Sequence, residues 1–321
     1  MTFGFYADQW LTLKRQDIGY SQYIAYKCSL KHLQPIFYME IDEIRVNDIQ
    51  AIITALSACN PTTKKPTAKK TLSDAKMTAK QVFQYAIDLR DIAYNPAESV
   101  KIPRNAPKST RRALTVEERE IITNTPHPTQ TAAMIMLYGG LRRGEVIALR
   151  YSDIDLEHGT ITVNKSVDLT KNQPIIKATK TKAGNRFVQI PKILTDFLSQ
   201  RKSEILPNES DIVIAEKILS ASSWRKRWSR YLKDVGLDGV TPHMLRHTAC
   251  TMMIESGMDV SSVKNQMGHS DIQTTLEIYT HITQKHTINE VKKLDTYIAN
   301  SNSEISKEKS QKQETFSFFS L

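Results

Sequence analysis

A short segment about a third of the way along the chain constrains its fold more than any other. Residues 101–112 read KIPRNAPKSTRR and contain two prolines and five basic residues without an apolar period. This composition is typical of an extended linker, because prolines and charges contribute little to a core. We therefore expect two domains, and 321 residues are enough to give each its own hydrophobic core. We place the boundary near Lys108.

The residues before this segment are predicted to form a helical domain, because apolar residues recur there at helical spacing. Four helices are expected, over residues 6–15, 21–38, 46–59 and 67–93. In the second helix the inward side chains are expected to be Tyr23, Tyr26, Leu30 and Leu33. Asn47 or Asp48 is the expected cap of the third helix, and Leu89 is expected to face inward from the fourth.

Basic residues are concentrated in this first third of the chain. Residues 1–108 hold 15 basic and 10 acidic residues. Lysines gather where the fourth helix begins, although positive charge there opposes the helix dipole. A phosphate backbone would favour such a cluster, whereas the alternative is a solvated charged loop. The residues predicted to contact DNA, including those of the linker, are Lys64, Lys65, Lys69, Lys70, Lys76, Arg104, Lys108, Arg111 and Arg112.

Residues 109–299 are predicted to form a mixed α+β domain. Thr115 is the expected cap of its first helix, which has acidic residues in its first turn. Further helices are expected over 131–138 and 143–150 and along most of the chain after residue 192, and strands over 160–167, 174–180 and 186–190. The overall fold class is therefore mainly α with a small antiparallel β-sheet. Residues 300–321 form a polar tail with an aromatic end, for which docking on a neighbouring surface and a free end are equally open.

Composition limits the function classes. The formal charge of +10 and the isoelectric point near 9.3 favour a polyanionic partner, most simply nucleic acid. Three cysteines lie far apart without zinc spacing, which is typical of a reducing compartment. No signal peptide and no membrane-length apolar run is visible, so a cytoplasmic protein is expected. Neither clustered carboxylates for metal ions nor a GxxxxGK[ST] loop for ATP is found.

Two motifs place arginines at predicted helix starts. In GLRRGE, two glycines end one helix, and Arg142 lies at the N-terminus of the next, where backbone N–H groups already attract anions. Glu145 shares a face with Arg142 and is expected to orient it. In TPHMLRH, His243 and Arg246 lie three residues apart and therefore on one helix face. Each motif alone is also typical of an ordinary basic surface.

A third motif follows in the order of the chain. MGHSD places His269 in a helix break after Gly268, and Ser270 or Asp271 is expected to cap the next helix. Tyr279 lies ten residues beyond the histidine. A single tyrosine on an amphipathic helix usually belongs to a core, but a phenol that follows these basic motifs is also suited to attack a phosphate.

Taken together in this order and spacing, GLRRGE, TPHMLRHT, MGHS and the following tyrosine resemble the tyrosine recombinase family, the phage-type integrases. The resemblance covers most of residues 111–295, and the N-terminal helices look like that family's core-binding domain. It implies a two-domain clamp around DNA. It also implies that Tyr279 attacks the scissile phosphate to leave a 3′-phosphotyrosine, while Arg142 and Arg246 bind the non-bridging oxygens.

The resemblance assigns three further roles. His269 would donate a hydrogen bond to the transition state, and His243 would orient the phenol or accept its proton. A lysine on a β-hairpin would be the general acid for the leaving 5′-oxygen. Lys180 is the closest match in spacing to Arg186, with Lys182 as the alternative.

The same resemblance implies a site-specific recombinase of mobile genetic elements that needs no metal and no other cofactor. Four protomers would exchange strands between specific double-stranded DNA sites through a four-way junction. Accessory DNA-bending or directionality proteins remain open as partners, and a membrane is not expected. The chain starts directly with core-binding helices, so either arm sites are not used or the chain is shortened. A type IB topoisomerase-like enzyme and a catalytically silent DNA-binding module are the alternatives.

Overall fold

The computed structural model describes residues 1–107, 112–170, 172–178, 184–203, 211–273, 275–276 and 278. The chain forms two compact units that divide between Arg111 and Arg112, and each has its own hydrophobic core. The architecture is mainly helical with small antiparallel sheets, which confirms the fold class predicted from the sequence. Among the described residues, no helix combines the length and apolarity that a bilayer span requires.

The N-terminal unit is built around its last helix. Its helices are α1 (Phe3–Asp17), α2 (Tyr20–Lys31), α3 (Val46–Ala58) and α4 (Lys69–Asp88). Helix α4 packs against the other three. Its apolar positions Leu72, Val82, Phe83 and Ala86 are fully buried, as their helical spacing predicted. Burial of this stripe, rather than helix propensity alone, stabilises the unit.

Two of the predicted helices are shorter than expected. Helix α2 ends at Lys31, because Pro35 lacks an N–H and its ring excludes a continuing helix. Tyr23 and Tyr26 are only partly buried, whereas Leu30 and Leu33 belong to the core. Leu89 is 47% exposed, contrary to the prediction, since it is the C-cap of α4 and no longer on its inner stripe.

The start of α3 also differs in detail. Arg45 is the N-cap, and the carboxylate of Asp48 accepts a hydrogen bond from the Arg45 N–H at 2.7 Å. The prediction that Asn47 or Asp48 is the N-cap was therefore wrong, because the N-cap is Arg45. Asp48 still satisfies a backbone donor at this end, but it does so from the third helical residue and reaches backwards.

The segment after α4 is not a free linker over its first half. The Lys101 N–H donates to Gln50 Oε1 at 2.8 Å, and Gln50 Nε2 donates to the Lys101 carbonyl at 3.0 Å. The Lys69 N–H donates to the Pro107 carbonyl at 2.7 Å, and Ala106 is buried. Residues 101–107 therefore pack on the N-terminal unit, because prolines that cannot continue a helix still expose carbonyls as acceptors.

The C-terminal unit surrounds one apolar helix. Its described helices are α5 (Val116–Asn124), α6 (Gln130–Tyr138), α7 (Arg143–Ala148), α8 (Lys192–Ser203), α9 (Ala221–Val235), α10 (Pro242–Glu255) and α11 (Val260–Met267). Residues 130–137 of α6 are all buried, and α6 packs against α5, α7, α8 and α10. Thr115 caps α5, as predicted: its Oγ1 accepts from the Glu118 N–H at 3.3 Å, and its own N–H donates to Glu118 Oε2 at 2.9 Å.

The strands form two small antiparallel sheets. They are β1 (Ile154–Asp155), β2 (Thr160–Val163), β3 (Lys165–Asp168), β4 (Ile175–Ala178) and β5 (Arg186–Gln189). The sheets have the orders β1-β2-β5 and β3-β4. The single strand predicted over 160–167 is therefore two strands, which separate at Asn164. Side-chain alternation continues across that residue, so the sequence pattern does not show that the pairing partner changes from β5 to β4.

Helix α7 begins unusually close to strand β3. A Cβ atom at Gly144 would lie 2.5 Å from Ser166 Oγ and 2.9 Å from the Val167 carbonyl oxygen. The Val167 carbonyl is part of the backbone of β3, so it cannot rotate away from the added atom as a side chain could. Glycine is therefore required by the approach of the two elements, and not by its φ angle.

We expect Gly144→Ala to destabilise the C-terminal unit by about 1–3 kcal/mol, because the added methyl overpacks this contact. Gly19→Ala is the control for an added methyl in open space, since nothing lies within 4 Å of the position that its Cβ would take. Gly19 is the N-cap of α2 in the N-terminal unit, so the change weakens that helix, but it should alter the stability of the C-terminal unit by less than about 0.5 kcal/mol. Urea unfolding followed by tryptophan fluorescence measures both. Equal stability of the two variants would contradict the close packing of α7 on β3.

Candidate active site

The start of α7 presents Arg142. Helix α6 ends at Gly139 and Gly140, and Gly140 takes a φ of 66°, which lets the chain turn sharply into α7. Arg142 is the N-cap residue, and its own N–H donates to Glu145 Oε2 at 2.8 Å. Its Nη1 donates to Glu145 Oε1 at 2.8 Å. Glu145 thus orients Arg142, as predicted, while 43% of the arginine side chain stays exposed.

A second arginine, which sequence reasoning did not select, holds the other side of the same carboxylate. Arg186, at the start of β5, donates from Nη1 to Glu145 Oε1 at 3.1 Å and from Nη2 to Oε2 at 3.0 Å. Both side chains are buried. An arginine at the start of a strand has no neighbours in the sequence that indicate its burial. Arg186 is therefore identified only by the approach of β5 to α7 in the structure.

The buried Glu145 carboxyl is held in its charged form. Burial by itself raises the pKa of Glu145, but the hydrogen bonds and positive charges of Arg186 and Arg142 outweigh it, so the pKa lies below its usual value. Each oxygen accepts one hydrogen bond from each arginine residue. The carboxylate therefore acts as a fixed bridge between α7 and β5.

Arg246 approaches the same region from α10. Thr241 caps that helix and Pro242 occupies its first position, as predicted. Arg246 is buried, and its Nη1 and Nη2 donate to the carbonyl oxygens of Gly140 and Met267. Burial, with the nearby charge of Arg142, lowers the pKa of Arg246 to about 9, which leaves the guanidinium charged at neutral pH.

The three arginines converge on the end of α11. Arg186 Nε donates to the Gln266 carbonyl at 2.9 Å, Arg246 donates to the Met267 carbonyl, and Arg142 Nη2 donates to the Gly268 carbonyl at 2.5 Å. These consecutive carbonyls lie at the negative end of the α11 dipole. Gly268 is left-handed, with a φ of 62°. We call Arg142, Arg186 and Arg246 the arginine cluster.

His269 follows directly on this chain segment and is half-buried. Its Nδ1 lies 2.9 Å from Thr275 Oγ1. Burial lowers the pKa of His269 to about 4, and the charges of Arg246, Arg142 and Arg186 add to the effect. The imidazole is therefore neutral at pH 7. It is a hydrogen-bonding group placed beside fixed positive charges.

The structure brings together some of the predicted catalytic residues. Arg142, Arg246 and His269 are joined through the consecutive residues 267–269. His243 lies exposed in the first turn of α10, and its charge contributes to the lowered pKa of His269. Tyr279, Lys180 and Lys182 lie outside the described residues. No group of three His, Cys, Asp or Glu side chains in the described part of the chain is arranged to hold a metal ion.

The predicted DNA-binding residues of the N-terminal unit have different environments. Lys64, Lys65 and Arg104 are exposed, and Lys69 is half-buried. The Lys76 ammonium donates to the Val100 and Glu98 carbonyls at 2.5 and 3.1 Å, so it fastens the segment after α4 to that helix. This use weighs against a phosphate contact for Lys76.

Four other predicted contacts are paired or not described. Lys70 forms an exposed ion pair with Asp74 at 2.7 Å, a type that contributes little and is easily exchanged for phosphate. In the C-terminal unit, Arg112 forms a bidentate pair with Glu118, with both distances 2.5 Å. Lys108 and Arg111 lie outside the described residues.

A basic surface on α9 was missed by sequence reasoning. Trp224, Trp228 and Tyr231 bury one face of this helix. The opposite face exposes five basic residues, Arg225, Lys226, Arg227, Arg230 and Lys233. None of them forms an ion pair with a carboxylate among the described residues. The signal was available in the sequence WRKRWSRY, whose tryptophans repeat every fourth position and leave the arginines facing outward.

Comparison with known families identifies the chain. Residues 112–286 match the phage integrase family, and this match covers more than half of the chain. Residues 2–57 match the phage integrase N-terminal SAM-like domain. The chain belongs to the phage integrase family. Membership in this family of tyrosine recombinases implies breakage and rejoining of DNA.

Several curated proteins are similar to this integrase-family chain. Tyrosine recombinase XerC of Chlamydia caviae is 28% identical over 229 residues, which cover 68% of this chain and 69% of the relative. Tyrosine recombinase XerA of Thermococcus kodakarensis is 34% identical over 59% of this chain and 64% of its own length. Transposase A from transposon Tn554 of Staphylococcus aureus is 32% identical over 58% of this chain and 53% of its own length.

Solved structures show the same integrase fold. The Tn1549 transposon integrase, in complex with a circular intermediate DNA, has a TM-score of 0.74 at 21% identity, covering 92% of this chain and 99% of that one. A λ integrase dimer bound to a COC′ core site has a TM-score of 0.64 at 19% identity, covering 87% of this chain and 77% of that one. At these identities the likeness concerns the fold.

The lowered pKa of His269 predicts a loss of stability in acid. The unfolded chain binds a proton at this histidine near pH 6.5, whereas the folded protein binds it only near pH 4. Stability is therefore unaffected above about pH 6.5 and falls as the pH is lowered towards 4. Between pH 7 and 4.5, we expect the wild type to lose on the order of 1–2 kcal/mol more than His269→Asn, after solvent screening.

Urea unfolding at several pH values measures this difference. His158→Asn is the control, because the His158 side chain is 72% exposed and its contact with Asp155 at 2.7 Å is a surface pair that contributes little. Its pH dependence should therefore stay within about 0.5 kcal/mol of the wild-type curve. Parallel pH dependences for the wild type and His269→Asn would contradict a buried neutral imidazole at this position.

Proposed function

We propose that this protein is a site-specific DNA recombinase that cuts and rejoins DNA through a 3′-phosphotyrosine intermediate. The observation that carries the proposal is the convergence of Arg142, Arg246 and His269 on residues 267–269. Two guanidiniums and a neutral imidazole at one chain segment form a cationic donor set suited to a phosphodiester. Membership in the phage integrase family supports this choice of substrate.

The arginines act on the charge that develops in the transition state. Attack of the Tyr279 oxygen on phosphorus makes a pentacoordinate species, and its non-bridging oxygens gain negative charge. Arg142, which is partly exposed, binds one of these oxygens, and Arg246 stabilises the other side from its buried position. Because both guanidiniums are already held by carbonyl groups, little reorganisation accompanies the reaction.

The histidines and a lysine move or hold protons. His243 orients the Tyr279 phenol or accepts its proton, since a protonated phenol with a pKa near ~10 is a poor nucleophile. His269 donates from Nε2 to the phosphate when the Thr275 hydroxyl donates to Nδ1. Lys180, with Lys182 as the alternative, protonates the departing 5′-oxygen. The phosphotyrosine bond keeps the energy of the broken strand, so no cofactor is required.

The partners follow from this chemistry. A free 5′-hydroxyl of a second duplex reverses the attack, and repeating the exchange on the other strands recombines two specific double-stranded sites. Four protomers and a four-way junction are therefore proposed, with accessory DNA-bending or directionality proteins as further partners. Relatives named recombinase and transposase, and integrases solved on DNA, support the DNA partner.

Replacement of the nucleophile tests the chemistry. A DNA duplex nicked next to the scissile phosphate traps covalent protein, because the released short fragment diffuses away. We expect Tyr279→Phe to form no covalent adduct while binding DNA with unchanged affinity. Tyr297→Phe is the matched control in the same part of the sequence and should form the adduct at the wild-type rate. Mass spectrometry of the adduct identifies the modified tyrosine.

The outcomes separate the competing functions. If the wild type forms no adduct on its cognate site, the binding-module alternative replaces the proposal. If the adduct forms and single protomers relax supercoiled DNA without exchanging strands between two sites, a type IB topoisomerase-like activity replaces it. Strand exchange between two sites, abolished by Tyr279→Phe, supports the recombinase.

The exposed face of α9 is proposed to contact the phosphate backbone. We expect the combined change Arg225→Gln, Arg227→Gln and Arg230→Gln to weaken DNA binding and to reduce the slope of log Kd against log salt by about 0.9 for each phosphate that the helix no longer neutralises. The control removes the same charge from scattered exposed positions, with the changes Lys192→Gln, Lys202→Gln and Lys217→Gln. Equal salt slopes for the two triple variants, measured by fluorescence anisotropy, would exclude α9 from the interface.

A further inference from the structure

Arg186 is the member of the arginine cluster to which the proposed mechanism gives no role. It is 9% exposed, so its charge is too deeply placed for an ordinary surface contact. Its donors are used within the protein: Nη1 and Nη2 bind the two oxygens of Glu145, Nε binds the Gln266 carbonyl, and Nη1 also reaches the Gly184 carbonyl at 3.3 Å. A buried guanidinium with this many partners fixes the groups around it.

The bonds of Arg186 lead to Arg142 through one intermediate. Glu145 is shared by both arginines, with one bond from each arginine on each oxygen. Because Arg186 fills one side of the carboxylate, the other side faces Arg142 in a single orientation. Without Arg186, the carboxylate is free to rotate or to take up a proton, and either change releases the Arg142 side chain from its present direction.

A second connection makes the same region rigid. Gln266 exchanges two hydrogen bonds with the backbone of Gln189, at 3.0 and 2.9 Å, and Arg186 binds the carbonyl of the same Gln266. Strand β5 is thereby fastened to the end of α11. The next carbonyls along the chain are those that hold Arg246 and Arg142.

We propose that Arg186 is a positioning residue for strand transfer, which holds Glu145 so that Arg142 points at the scissile phosphate. The inference rests on the proposed function. Arg186 does not touch DNA in this scheme. It acts through the shared carboxylate, and misplacement of a phosphate-binding group by about 1 Å is enough to lower a rate by about 100-fold.

The test measures single-turnover cleavage of the nicked duplex by the full chain. We expect Arg186→Gln to bind DNA with an affinity within about threefold of the wild type and to cleave it about 100-fold more slowly. Arg186→Lys keeps the charge but cannot bind both carboxylate oxygens in parallel, and it should cleave at an intermediate rate. Lys165→Met is the matched control. It breaks another largely buried ion pair of the same unit, with Asp153 at 2.7 Å, and should cleave at the wild-type rate.

Two readouts distinguish positioning from a general structural defect. A methylphosphonate at the scissile position carries no charge on its non-bridging oxygen, so the orientation of Arg142 matters less there. The ratio of wild-type to Arg186→Gln rates should therefore fall from about 100 towards 1 on this substrate. The acid limb of the cleavage rate should also move to higher pH in Arg186→Gln, because burial then raises the pKa of Glu145 with less opposition.

A further variant covers loss of stability, since an unpaired buried carboxylate is destabilising. The double variant Glu145→Gln with Arg186→Gln removes both charges and should recover much of the stability while cleaving as slowly as Arg186→Gln. Recovery of the wild-type rate in the double variant would overturn the inference. So would equal rate ratios on the phosphate and methylphosphonate substrates. Absence of any adduct with the wild type would instead overturn the proposed function itself.

Discussion

The C-terminal unit depends on the way three arginines share the last carbonyls of α11. Three guanidiniums placed close together repel one another, and burial increases the repulsion because the surroundings screen charge poorly. Glu145 and the negative end of the α11 dipole offset it. One carboxylate against three cations leaves a positive excess, which a phosphate can neutralise. The same contacts therefore close the fold around residues 266–268 and leave it with the positive charge that the proposed phosphodiester substrate requires.

The local part of this arrangement could be predicted from the sequence, because it depends on neighbours along the chain. The position of Arg142 at a helix start, its orientation by Glu145 and the cap at Thr241 are contacts over three or four residues. Arg186 was not selected, since its partners Glu145 and Gln266 are 41 and 80 residues away. The division of one predicted strand into two at Asn164 was not predicted, for a similar reason. Alternation describes which face a side chain takes and does not identify the strand beside it.

The N-terminal unit shows that composition alone separates structural from binding charges poorly. Lys76 belongs to the same run of lysines as Lys64 and Lys65, yet its ammonium binds two backbone carbonyls and holds the segment that follows α4. The predicted linker, residues 101–112, follows directly after these carbonyls. Its own Lys101 and Pro107 carbonyls also accept hydrogen bonds from the N-terminal unit, so its first half is not free. Lys64 and Lys65 retain exposed side chains in the loop before α4, and DNA contact stays a prediction for them.

Electrostatics also determine the protonation states of His269 and Arg246. Burial lowers the pKa of His269 to about 4, and the neighbouring arginine charges, beside which a protonated imidazole would be a fourth positive charge, add to the effect. Arg246 keeps its proton because even a pKa lowered to about 9 remains well above neutrality. In the function proposed above, a phosphate bound among these groups would supply negative charge that opposes both shifts. Its binding would then stabilise the charged guanidiniums and make His269 a better hydrogen-bond donor.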